Sequence, residues 1–102
     1  MEPVTLNGLK AFGAKLDGTT LATRFRKRNF SLSVTDEGFE YTPEFSGKLR
    51  KQQWKWIERV LERYNERRSL HPVDYNDISR NASYVLTIIR AYLDSLSAPV
   101  PV

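Results

Sequence analysis

Between Trp54 and Tyr64, large apolar side chains recur at a spacing that only a helix satisfies. At 100° per residue, Trp54, Trp56, Ile57, Val60, Leu61 and Tyr64 fall on one arc, a little under half the circumference. Lys55, Glu58, Arg59, Glu62, Arg63 and Glu66 fill the other side. So wide an apolar face is stable only under a second layer of structure, which commits the chain to a layered fold built on this helix. The spacing predicts a helix over about residues 50–67. It ends at Arg67-Arg68-Ser69, where cations suit the negative end of the helix dipole.

The covering layer is sought upstream, where the period changes to two. Leu21, Thr23 and Phe25 alternate with Ala22, Arg24 and Arg26, and Phe30-Ser31-Leu32-Ser33-Val34 follows the same rule. Asp36-Glu37-Gly38 reads as a hairpin loop, and Phe39-Glu40-Tyr41-Thr42 alternates again until Pro43 stops the ladder. The expectation is a three-stranded antiparallel meander at roughly 19–26, 30–35 and 38–42. Its buried face carries Leu21, Phe25, Phe30, Leu32, Val34, Phe39 and Tyr41.

The last third reads as two further helices. Pro72 suits a first helical turn, giving a short helix over about 72–78. Ser79 or Asn81 suits the cap of a longer one. Over residues 80–96, Val85, Ile88, Ile89, Tyr92, Leu93 and Leu96 share one face, and Arg80, Ser83, Tyr84, Thr87, Arg90 and Ala91 the opposite one. The spacing of this C-terminal pair resembles that of a helix-turn-helix. Residues 1–16 are compatible with a short helix on Leu6, Leu9 and Leu16 with Thr5 or Asn7 as its cap, although Gly8 and Gly13 weaken it. The fold class expected is α+β: a small three-stranded antiparallel β-meander packed against three helices. One domain spans residues 1–96, and 97–102, with two prolines and no period, is a flexible tail or linker stub.

Several functions are excluded by what the residues lack. There is no cysteine and a single histidine, His71, so thiol chemistry has no nucleophile and a zinc site too few ligands, and no metal or cofactor is expected. Asp74 and Asp77 are spaced to suit a hard cation, a spacing that helix first turns also favour. Ser46-Gly47-Lys48 fails as a phosphate-binding P-loop, because Thr42 stands where the first glycine is required and Leu49 where the hydroxyl residue is required. No nucleophile–base constellation emerges, so no enzyme is expected. Apolar runs are too short for a membrane span, and the expected location is the cytoplasm.

Charge supplies the positive signal. Sixteen basic residues against twelve acidic give a net charge of +4, concentrated in two places. Arg24, Arg26, Lys27 and Arg28 crowd one hairpin, and Lys48, Arg50 and Lys51 follow Ser46 at the expected start of the long helix. A basic β-ribbon and a helix start both bind phosphates. Arg80, Ser83, Tyr84, Thr87 and Arg90 form a polar helix face of a kind that reads base edges. The reading is a non-catalytic DNA-binding domain, a regulator or the targeting module of a DNA-processing protein. Phosphates would be clamped by Arg24, Arg26, Lys27, Arg28, Ser46, Lys48, Arg50 and Lys51, and the DNA read by the last helix. The alternatives are a protein-interaction module with an exposed Trp54 or Trp56, and an RNA or single-strand binder stacking bases on Phe25, Tyr41 or Tyr84.

Overall fold

The computed structural model describes residues 3–23 and 27–97. The elements in chain order are α1 (Leu6–Lys15), β1 (Thr20–Ala22), β2 (Asn29–Val34), β3 (Gly38–Pro43), β4 (Arg50–Gln53), α2 (Trp54–Arg67), a 3₁₀ turn (Pro72–Tyr75) and α3 (Ala82–Ser97). The fold is α+β. Three α-helices pack on one face of an antiparallel sheet ordered β1-β2-β3-β4.

The sheet has four strands, not three. Arg50–Gln53, expected as the first turn of the long helix, pairs instead with Gly38–Tyr41. Local propensity in Arg-Lys-Gln-Gln favours a helix, but the unpaired edge of β3 needs a partner, and Gln52 ties the strand in place. Its side chain is 3% exposed. The buried Tyr41 hydroxyl donates to Gln52 Oε1 at 2.7 Å, and Gln52 Nε2 donates to Ser79 Oγ at 2.8 Å. Burial pushes the Tyr41 phenol well above its ordinary range, so it remains a donor at any physiological pH. The pairing also requires a glycine at 38, because a Cβ there would stand 1.9 Å from the Gln52 carbonyl oxygen. The helix therefore begins at Trp54, whose amide donates to Glu37 O at 3.0 Å.

Strand parity sets which side chains face the helices. Phe30 and Leu32 on β2, with Phe39 and Tyr41 on β3, are fully buried. Val34 and Leu21 pack at the margin, and Phe25 lies outside the described residues. β1 is shorter than expected, since its pairing with β2 ends at Ala22↔Asn29. From α2, Ile57, Val60, Leu61 and Tyr64 fill the interior, while Trp54 and Trp56 sit half-buried on the two flanks of the apolar arc. Each fully buried aliphatic side chain in this set contributes roughly 1.5–3 kcal/mol of transfer free energy.

The C-terminal pair consists of the single 3₁₀ turn and α3. Ala82, Val85, Leu86, Ile88 and Ile89 of α3 are buried, but Leu96 is 66% exposed because the apolar stripe outruns the layer beneath it. α1 forms despite its glycines. Thr5 Oγ1 accepts from the Gly8 amide at 3.0 Å, and Phe12 packs on Tyr92 with ring centroids 5.3 Å apart. Gly8 allows that approach, with the Tyr92 hydroxyl 2.9 Å from where a Cβ would lie. The expected tail reaches past Ser97 into residues outside those described. No helix among the described residues is long and apolar enough to cross a membrane.

Candidate functional site

The start of α3 is anchored before the helix begins. Ser79 Oγ receives Gln52 Nε2 and, at 3.0 Å, the amide of Asn81. This bond chain from Tyr41 through Gln52 to Ser79 fixes the segment carrying Arg80 against β4. Beyond it, Ser83, Thr87 and Arg90 follow at helical intervals on the side away from Val85, Ile88 and Ile89. Tyr84 forms part of the same wall. Its ring stacks on Tyr41 at 5.0 Å and meets the edge of Phe30 at 4.9 Å, so the wall is backed by the core.

Facing this wall are side chains from the other half of the sequence. Arg50 shares strand parity with the inward Gln52, so it projects on the helix side of the sheet. Phe45 comes from the turn after β3, where Gly47, at φ 66°, bends the chain and donates its amide to Pro43 O at 2.8 Å. Thr23 and Arg28 come from the β1–β2 connection. The Arg28 amide donates to Thr23 Oγ1 at 3.1 Å, and its guanidinium carbon lies 4.4 Å from the ring centre of Phe45. Leu70, Pro72 and Asn76 close the remaining side. Together these segments line an open cavity of about 540 Å³.

Among the described residues, four arginines line the cavity, Arg28, Arg50, Arg80 and Arg90, and no aspartate or glutamate does. Nearby carboxylates have other partners. Asp77 takes both Arg63 nitrogens, at 2.5 and 2.9 Å, which holds its carboxyl below the usual aspartate range. Asp74 accepts from the Ser69 hydroxyl, and Glu44 from Asn29 Nδ2 at 3.3 Å. Among the described residues, none of the four arginines forms an ion pair. Each guanidinium carries a positive charge, so like charges share one concave space. An anion in that space would relieve the repulsion and accept planar, forked hydrogen bonds.

Of the residues singled out in the sequence, the structure brings Arg28, Arg50, Arg80, Ser83, Tyr84, Thr87 and Arg90 to this one cavity. It does not bring the others. Arg24 and Arg26 lie outside the described residues. Lys27 is exposed in the loop at φ 51° and does not line the cavity. Lys51 has the opposite strand parity and faces Glu40 on the outer surface, 3.9 Å away. Ser46 and Lys48 form a small turn of their own, the Lys48 amide donating to Ser46 Oγ at 3.3 Å. The expected anion site at the start of the long helix is thus corrected: residues 46–51 are turn and strand, because β4 precedes α2. The helix start that opens on the cavity is that of α3, where Arg80, Asn81, Ala82 and Ser83 all contribute to the lining.

Other expectations change as well. Tyr41 has no exposed surface and cannot stack on a base. Trp54 packs edge-on against Phe39 at 5.0 Å, with its indole N–H donating to Asp36 O at 2.8 Å. Trp56 is half-buried beneath Lys55 and Arg59. Asp74 and Asp77 serve the Arg63 and Ser69 contacts, and among the described residues no three metal-ligating side chains gather. Phe45, Asn76 and Asn81 line the cavity but escaped the sequence reading, because nothing local distinguishes them from turn residues. No protein-family model matches the chain, and neither does any curated protein or solved structure at a significant level.

Proposed function

We propose that the chain is a non-catalytic DNA-binding domain, acting as a regulator or as the targeting module of a DNA-processing protein. The observation that carries this reading is the gathering of four arginines in one cavity that, among the described residues, no carboxylate lines. They come from the β1–β2 connection, β4, the approach to α3 and α3 itself. Positions this far apart in sequence converge on a site that favours anions, and the DNA backbone is the abundant polyanion such a site fits. Arginine forks hold phosphate oxygens in two directions at once. Ser83 and Thr87 add hydroxyls between them. Thr87 donates its proton to Ser83 O at 2.8 Å, which leaves its oxygen as an acceptor. The last helix contributes from inside a concavity rather than as a protruding ridge, so its contacts are with whatever part of the DNA enters.

The test is a salt titration of binding to duplex DNA, single-stranded DNA and RNA of equal length. Binding to DNA that weakens linearly with the logarithm of salt supports the reading. An absence of DNA binding at low salt overturns it, and a clear preference for RNA replaces it with the RNA alternative.

A further inference from the structure

The cavity has features that backbone phosphates alone do not require. About 540 Å³ is far more than a phosphate group needs and lies within the range of pockets that hold small organic ligands. Much of its lining is apolar: Phe45, Leu70, Pro72, Ala82 and Leu86 stand beside the arginines. Asn76 and Asn81 each bring an amide, a donor and an acceptor side by side, matching the edge of a nucleobase. Phe45 is 63% exposed with a cation over one face of its ring. An exposed aromatic ring beside an arginine is a platform on which a base stacks. A duplex is convex and carries its bases inside, so base edges in an intact helix do not reach such a recess.

From this combination we infer that the cavity receives a single unpaired nucleotide, its phosphate among Arg50, Arg80 and Arg90 and its base against Phe45. The inference deepens the DNA-binding reading and rests on it. An unpaired nucleotide arises either at a strand end or where a base is turned out of a duplex, and the chemistry presented to the cavity is the same.

Fluorescence anisotropy at one fixed salt concentration distinguishes these cases. The probes are a blunt duplex, the same duplex with a short 5′-phosphorylated overhang, and the same duplex with one unpaired internal nucleotide. The overhang, the internal unpaired nucleotide or both should bind about tenfold more tightly than the blunt duplex. Tighter binding of the overhang alone assigns the site to strand ends, and of the internal nucleotide alone to extruded bases. Phe45→Ala should abolish the preference, so that all three probes bind alike, while the unfolding midpoint stays unchanged, since the ring is mostly in solvent. Equal binding of all three probes overturns the inference and leaves DNA binding standing. A preference that persists in Phe45→Ala also overturns it. Failure of every probe to bind at low salt removes both.

Discussion

Two groups of arginines in this molecule have the same chemistry and opposite circumstances. On the outer side of α2, Arg59 lies 4.8 Å from the ring centre of Trp56, in a row beside Glu58, Glu62 and Glu66. Arg63 donates to Asp74 O at 3.0 Å and to both oxygens of Asp77, tying the 3₁₀ turn to the helix. In the cavity, Arg28, Arg50, Arg80 and Arg90 surround a common space that no carboxylate among the described residues lines. The first group is engaged with the fold, whereas in the second Arg28 lies over the Phe45 ring and, among the described residues, Arg50, Arg80 and Arg90 form no ion pair. A count of basic residues does not separate them; an inventory of their partners does.

The largest effect that would break this contrast comes from the scaffold. Gly38→Ala places a Cβ against the Gln52 carbonyl, and backbone atoms have no rotamer by which to yield. The variant should lose about 3 kcal/mol in urea denaturation. It should also bind DNA poorly, because β4 carries Arg50 into the cavity. Wild-type stability in that variant would mean that β3 and β4 do not pair as described.

Next come the arginines themselves. Arg80→Ala and Arg90→Ala should each weaken DNA binding by about 1–3 kcal/mol and lower the salt slope by about one, with unfolding little changed. Arg59→Ala should leave binding as it was. If Arg59→Ala weakened binding as much as Arg80→Ala, the distinction between the two groups would be lost.

A smaller change sharpens how the cavity wall is held. Tyr41→Phe removes the donor to Gln52 Oε1 and leaves a buried acceptor unpaired, at a cost of about 1–3 kcal/mol in stability. Chemical denaturation measures this directly, and an unchanged midpoint would show that the Tyr41–Gln52 bond contributes nothing.

The smallest expected effect is on the structural side. The Arg63 hydrogen bonds hold the Asp77 carboxyl below its unfolded value, so ionised Asp77 stabilises the folded state. That contribution is complete above the unfolded value, about pH 4, and is lost as pH falls through the lower folded value. Asp77→Asn should therefore lower the melting temperature slightly at neutral pH, and the difference should close in stronger acid. A difference that widened in acid would contradict the assigned pairing. DNA binding measured at neutral pH should be unaffected by this variant.

Much of the scaffold was legible because its signals are local. Alternation in Phe30–Val34 and Phe39–Tyr41, and helical spacing from Trp54 to Tyr64, each report a face that must be buried, whatever covers it. The candidate site was legible only in pieces. Arg80, Ser83, Thr87 and Arg90 lie on one helix, so their common direction follows from 3.6 residues per turn. Arg28 and Arg50 belong to segments whose neighbours Lys27 and Lys51 carry the same charge but point elsewhere.

By itself, the sequence determined an α+β chain with a one-sided sheet, a long amphipathic helix and an excess of cations away from the acidic row on α2. Only the tertiary structure decided that residues 50–53 form a strand. It alone also decided that Arg50 turns inward while Lys51 turns out, and that Phe45 and the start of α3 close around one space. Those outcomes depend on hydrogen bonds and parity between segments distant in the chain. The bond from Gln52 to Ser79 spans 27 positions. Periodicity describes which way a side chain points within its own element, whereas the identity of what it meets is fixed only when the elements pack.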